Sequence, residues 1–158
     1  MDKEKQKDFA RRVTQANRTE LVAVTCDIII ENIECASGML KTGNAPEYRN
    51  ELKSAQNFLG ELIRSLDYNY PIASDLLKIY AYVQKILVAS DVSGKDKGLE
   101  EVRGIMAKIG SAFTQIAPQD TSGSVMENTQ QIVAGLTYGK GTLNEADVTA
   151  GSNRGFLA

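Results

Sequence analysis

Four runs of about twenty residues between Thr19 and Ile116 carry apolar residues at alternating steps of three and four, and turn residues follow each run. This spacing places the apolar side chains on one face of an α-helix. Four such helices joined by connections of a few residues predict an all-α fold, an antiparallel four-helix bundle. The predicted core positions are Val22, Cys26, Ile29, Ile33, Ala36 and Leu40; Tyr48, Leu52, Ala55, Leu59, Leu62 and Leu66; Ile72, Leu76, Ile79, Val83 and Ile86; and Leu99, Val102, Met106, Ile109, Phe113 and Ile116.

Local signals set the ends of these helices. Asn17 followed by Glu20 has the spacing of a capping box, and Asn44 precedes the second helix with Pro46 in its first turn. We expect the bundle to occupy residues 19–118. The positions that should be most deeply buried between neighbouring helices are Ile79, Val83, Met106 and Ile109.

The segments outside the bundle carry weaker apolar patterns. Residues 1–18 form an N-terminal arm or short helix, in which Phe9, Val13 and Ala16 make a short apolar stripe on a charged segment. Residues 119–158 form a C-terminal extension. Ser124 and Glu127 have capping-box spacing, which allows a short fifth helix before a glycine-rich tail with single apolar anchors. The apolar positions of the extension as a whole are Val125, Ile132, Val133, Leu136, Tyr138, Leu143, Val148, Phe156 and Leu157.

Composition argues against several function classes. The net charge of −2 has no strongly basic segment behind it, so nucleic acid is not expected as a partner. The N-terminus is charged where a signal peptide is apolar, and no apolar run is long enough to span a membrane, which predicts a cytoplasmic protein without membrane insertion. Cys26 and Cys35 are nine residues apart on one predicted helix, about 13 Å by the helical rise, so both should be reduced thiols.

No catalytic or metal-binding constellation is apparent in the sequence. The chain has no histidine, so neither a zinc site nor the Glu-x-x-His pairs of a di-metal bundle can be assembled, and no cofactor is expected. The stretch "GLTYGKGT" departs from the spacing of a phosphate-binding loop, and no strand precedes it. We therefore predict a protein that is not an enzyme.

Two of the predicted helices are apolar beyond a single stripe. Leu21, Ile28, Cys35 and Met39 widen the apolar arc of the first helix, and Leu77, Ala81 and Val88 lie on the far side of the third helix, with Tyr80 and Gln84 between. These extra residues either pack under the chain's own ends or form a binding groove, and both can hold if the ends cover the groove at rest. The groove residues most exposed to a guest should be Leu77, Tyr80, Ala81, Gln84 and Val88, with Leu21 and Ile28 beside them. The groove-covering residues should be Phe9, Val13, Ile132, Val133, Leu136 and Tyr138.

Four fragments of the sequence resemble the flagellin export chaperone family, FliS, in order and spacing: "RTELVAVTCDIIIENIECA", "ELKSAQNFLGELIRSLDYNY", "IASDLLKIYAYVQKILVAS" and "LEEVRGIMAKI". The resemblance covers about residues 19–113. It implies a helical bundle that binds the disordered C-terminal segment of flagellin, blocks premature filament assembly and presents the subunit to the flagellar type III export gate, without catalysis. Members of the family often end soon after the fourth helix, whereas this chain continues for about forty residues.

Alternatives remain at this point. A non-catalytic helical adaptor for another flagellar or secretion subunit is the second hypothesis, and a metal-carboxylate enzyme is a distant third. The tail is expected either to fold back and plug the groove of its own chain or to swap into a neighbouring molecule, which would give a homodimer.

Overall fold

The computed structural model describes residues 1–126, which are all-helical as predicted and contain no strand. Five α-helices follow in chain order: α1 (Lys3–Gln15), α2 (Arg18–Lys41), α3 (Ala45–Arg64), α4 (Ile72–Ser93) and α5 (Leu99–Ile116). A 3-10 turn, Ala117–Gln119, follows α5. The short helix expected after Ser124 falls almost wholly outside the described residues, and the predicted division of the chain at residues 18 and 118 stays a prediction.

The helix starts form as the local sequence predicts. At α2 the backbone N–H of Glu20 donates to Asn17 Oδ1 at 2.8 Å, while Asn17 N–H donates to Glu20 Oε2 at 3.0 Å. This completes the capping box and satisfies two backbone donors that a helix end leaves unpaired. Asn44 accepts from the N–H of Glu47 at the start of α3.

The core lies between α2 and its two main neighbours. α2 packs extensively against α3 and α5, α3 packs against α4, and α4 and α5 make few contacts with each other. Gly110 permits the close approach of α5 to α2, because a Cβ placed there would lie 3.1 Å from Cys26 Cβ. Most predicted core positions are buried: Cys26, Ile29, Ile33, Ala36, Tyr48, Leu52, Ala55, Leu59, Leu62, Val83, Ile86, Leu99, Val102 and Met106.

The prediction for α4 is wrong in one respect, the rotation of the helix about its axis. Ile72 and Ile79 were placed in the core, but they are 63% and 38% exposed. The buried line of α4 instead runs through Ala73, Tyr80, Val83, Leu87 and Ser90. Because apolar residues occur around much of α4, the period alone does not select the inward stripe.

A similar correction applies to α5. Met106 is fully buried as predicted, but Ile109 is only partly buried and Ile116 is largely exposed. Both isoleucines lie on the side of α5 that turns toward α4, and these two helices make few contacts with each other. Their burial therefore depends on how closely α4 approaches, which the sequence pattern does not determine.

The chain after α5 returns to the junction between α1 and α2. The carboxylate of Asp120 accepts from the backbone N–H of Thr19 at 3.1 Å and from its hydroxyl at 2.6 Å. Val125 N–H donates to the carbonyl oxygen of Ala16 at 3.0 Å, and the Ser124 hydroxyl donates to the carbonyl of Thr14 at 2.6 Å. These bonds hold the start of the C-terminal extension beside the beginning of α2.

Candidate functional site

A cavity of about 470 Å³ lies where α1 crosses α2 and α3. Ile28 of α2 and Phe58 of α3 form part of its apolar floor, and Phe9 and Val13 of α1 form its roof. The structure thus brings together one predicted groove residue, Ile28, and two predicted groove-covering residues. Ile28, predicted to line a groove that the chain's own ends can cover, is 5% exposed because α1 lies over it.

α1 is held over this groove mainly by ion pairs at the edges of the groove. Within residues 1–126, no residue of α1 is fully buried. Lys5 Nζ pairs with Glu31 of α2 at 2.7 Å, and Arg12 pairs with Asp27 of α2 at 2.6 Å. The hydrogen bond to Glu31 raises the pKa of Lys5. Because partly exposed ion pairs such as these each contribute at most about 1 kcal/mol, they hold the amphipathic α1 only weakly on its largely apolar floor. The Met1 amino group, which pairs with Glu51 of α3, adds a less exposed contact.

The outer face of α4 carries the other predicted groove residues. Ala81 and Val88 are exposed, while Leu77 and Gln84 are half-buried. The prediction that Tyr80 faces a guest is wrong. Its side chain is 1% exposed, and burial raises the pKa of its hydroxyl. Tyr80 lies seven residues, or about two helical turns, from both Ala73 and Leu87. It is therefore on the same side of α4 as these two residues, the side that faces the core.

Leu21, the remaining predicted groove residue, lies in a third place. It lines a cavity of about 700 Å³ together with Leu62, Phe113 and Val125, near the end of the molecule where α2 begins. The structure therefore does not assemble the seven predicted groove residues into one groove. It distributes six of them over the covered floor beneath α1, the outer face of α4 and this end cavity, and it buries Tyr80 in the core.

An apolar cleft between α4 and α5 was not predicted. Ile79 and Tyr82 of α4 face Ile105 and Ile109 of α5 across a volume of about 450 Å³. Lys78 and Lys108 complete its lining. The Tyr82 hydroxyl donates to Glu101 Oε1 at 2.9 Å, which raises the pKa of Tyr82 and ties the two helices at one point. Only a second apolar stripe on α5, distinct from its buried stripe, would have revealed this cleft in the sequence. Its members are Ile105, Ile109, Ala112 and Ile116.

A family model described as flagellar protein FliS matches residues 1–120, which include all five helices. The chain belongs to the FliS family. The resemblance predicted from residues 19–113 is thereby confirmed, and it extends to the N-terminal helix. A comparison with curated proteins finds no match.

FliS is a chaperone family whose members are generally non-enzymatic. Burial raises the pKa of the Cys26 thiol to about 12, and burial also raises the pKa of Cys35, so neither forms an activated thiolate at neutral pH. Among residues 1–126, no group of three or more potential ligands is arranged to hold a metal ion. Across the same residues, no helix is long and apolar enough to cross a membrane.

Proposed function

We propose that this FliS-family protein is a cytoplasmic export chaperone that binds the disordered C-terminal segment of flagellin. In this role it prevents premature polymerisation of flagellin and delivers the subunit to the flagellar type III export apparatus. Membership of a flagellar export chaperone family and the presence of several separate apolar surfaces support the proposal. We further propose that α2 to α5 run antiparallel to their neighbours, since the connections between them are short.

The docking of α1 is the observation that carries this proposal. α1 is an amphipathic helix that lies in an apolar groove of the same molecule, with Phe9 and Val13 over Ile28 and Phe58. A segment of a guest that folds as an amphipathic helix can use the same floor once α1 leaves. Since the ion pairs of α1 are partly exposed, its displacement should cost little.

A guest that becomes ordered on binding keeps the affinity of the complex moderate. The disordered segment spends part of its contact free energy on ordering, and displacement of α1 subtracts a further share. The complex can therefore be specific and still release its guest at the export gate. We place other guest contacts on the outer face of α4, at Leu77, Ala81, Gln84 and Val88, with Leu21 at the end cavity. No nucleic acid and no cofactor take part.

Mixing the full chain with the C-terminal peptide of its cognate flagellin tests the proposal. We expect a 1:1 complex by size exclusion and calorimetry. Val88→Asp should weaken binding at least tenfold, because it places a charge where an apolar guest must lie. Val88 is already 39% exposed, so the variant should melt like the parent. Ala107→Asp, at an exposed position of α5 on the opposite side of that helix from Ile105, is the matched control and should bind normally.

Three outcomes separate the alternatives. Normal binding by Val88→Asp and by Leu77→Asp would remove the outer face of α4 from the site. Failure to bind flagellin, together with retention of another flagellar subunit, would instead indicate the non-catalytic helical adaptor. Phe9→Asp should tighten flagellin binding, because it weakens the competing α1, and weaker binding would show that α1 contributes to the site.

A further inference from the structure

We propose that the C-terminal extension of this chain, through residues 131–138, docks in the cleft between α4 and α5. The inference goes beyond the chaperone function, because it concerns the resting protein and needs no guest. Three observations support it: the open cleft, the position at which the described chain ends, and the apolar spacing of the residues that follow.

The cleft is the first observation. Ile79, Tyr82, Ile105 and Ile109 line it, and no element within residues 1–126 covers it. Further apolar side chains extend this strip toward the beginning of α4 and the end of α5, where Ile72 and Ile116 are exposed. The span from Ile105 to Ile116 on α5 is about 16 Å by the helical rise, which is the length of three helical turns. A strip of this length accommodates a short apolar segment.

The end of the described chain is the second observation. Val125 is hydrogen-bonded to Ala16 and lines the end cavity together with Tyr70 and Phe113. Tyr70 is two residues before Ile72, and Phe113 is three residues before Ile116. The extension therefore departs from the end of the molecule at which the cleft between α4 and α5 opens.

The sequence beyond Met126 is the third observation. The six residue steps from Met126 to Ile132 span up to about 20 Å when extended, enough to enter the cleft. Ile132, Val133, Leu136 and Tyr138 then supply apolar side chains within seven residues. Residues 131–138 carry no charged side chain, which suits a cleft lined mostly by apolar side chains.

Tryptophan fluorescence tests the docking directly, because the chain contains no tryptophan. Tyr138→Trp in the full chain places a single probe in the proposed anchor. We expect its emission to be blue-shifted relative to the same protein in denaturant, since the indole would be in an apolar cleft. Adding Ile79→Asp should return the emission toward that of exposed tryptophan, whereas adding Ala107→Asp on the other side of α5 should leave it unchanged.

The following control and results decide whether the tail of the same chain docks in this cleft. Circular dichroism must show that Ile79→Asp is folded; Ile105→Asp replaces it if it is not. Emission of an exposed tryptophan in the parent chain, or a blue shift that Ile79→Asp and Ile105→Asp both leave intact, would overturn the proposal. A blue shift that disappears on dilution together with a dimer peak would assign the cleft to the tail of a second copy. None of these measurements involves flagellin, so they stand or fall separately from the chaperone function.

Discussion

α2 and α4 are both apolar over a broad arc, yet the structure treats them differently. α2 is covered on three sides, by α3, α5 and α1, and its Ile28, Ile29 and Ile33 are all buried. α4 packs mainly against α3 and leaves Ile72, Ile79 and Val88 exposed. A broad apolar arc thus predicts that a helix requires more than two partners. It does not predict whether the described part of the chain supplies them.

The two helices therefore contribute differently, α2 to the stability of the fold and α4 to the surface available for binding. The surroundings of α2 contribute the buried area that stabilises the fold, whereas α4 presents apolar surface that a monomeric soluble protein rarely leaves open without a purpose. The first experiments therefore compare equivalent substitutions at the covered helix and at the exposed one.

The largest effect is expected from truncating the same residue type on the two helices. Ile29→Ala on α2 should lower the free energy of unfolding by about 2 to 5 kcal/mol, because it removes a fully buried side chain and leaves a cavity. Ile79→Ala on α4 should cost less than about 1 kcal/mol, because that side chain is 38% exposed within residues 1–126 and its open side meets at most the proposed tail segment. Urea unfolding of both variants measures the contrast, and equal losses would show that the two helices are equally covered.

Two glycines of α5 differ in whether they pack against α2. A Cβ at Gly110 would crowd Cys26 at 3.1 Å, whereas a Cβ at Gly104 would meet nothing within 4 Å. Gly104→Ala should raise stability by about 0.5 to 1 kcal/mol through helix propensity. Gly110→Ala should lose that gain to overpacking and fall about 1 kcal/mol or more below Gly104→Ala. Similar melting of the two variants would mean that α2 and α5 can move apart without cost.

The covering of α2 by α1 depends on weaker interactions. Asp27→Asn removes the partner of Arg12 on α2 and should destabilise the docking of α1 by about 0.2 to 1 kcal/mol. Faster amide exchange confined to α1 would report this change. Asp8→Asn removes an ion pair within α1, to Arg11, and is the control because that pair does not reach α2. Equal acceleration by both variants would contradict a role for the bridging pair.

The smallest effect is expected at the half-buried Asp120, which ties the chain after α5 to the start of α2. Hydrogen bonds from Ser122 and from Thr19 lower the pKa of Asp120 below its ordinary value. A lowered carboxyl pKa stabilises the fold above the ordinary pKa near 3.8, and this contribution is lost as the pH falls below that value. The melting temperature of the parent should therefore approach that of Asp120→Asn as the pH is lowered from 6 to 3. A constant difference would assign the effect of the substitution to something other than ionisation.

The sequence by itself determined the helices of this protein. Their number between Thr19 and Ile116, their starts at Asn17 and Asn44, and the family resemblance all follow from local signals. A capping side chain bonds to a backbone N–H three residues away, and an apolar period of three and four defines a face whatever the neighbours are. The core positions of α3 were predictable for the same reason, since one stripe on that helix is clearly the most apolar. On α2 the predicted stripe is largely buried as well, because three neighbouring helices cover most of its broad apolar arc.

Only the tertiary structure decided which apolar stripe of α4 faces the core, and where α1 lies. Tyr80 rather than Ile79 is buried, because the rotation of α4 depends on the helices packed against it, whose side chains are distant in the sequence. Ile28 is covered because α1 folds over it, although the pattern of α2 alone marks the residue as outward-facing. The cleft between α4 and α5 likewise depends on the separation of two helices. Burial depends on every neighbour at once, whereas a helical period records only the residue's own helix.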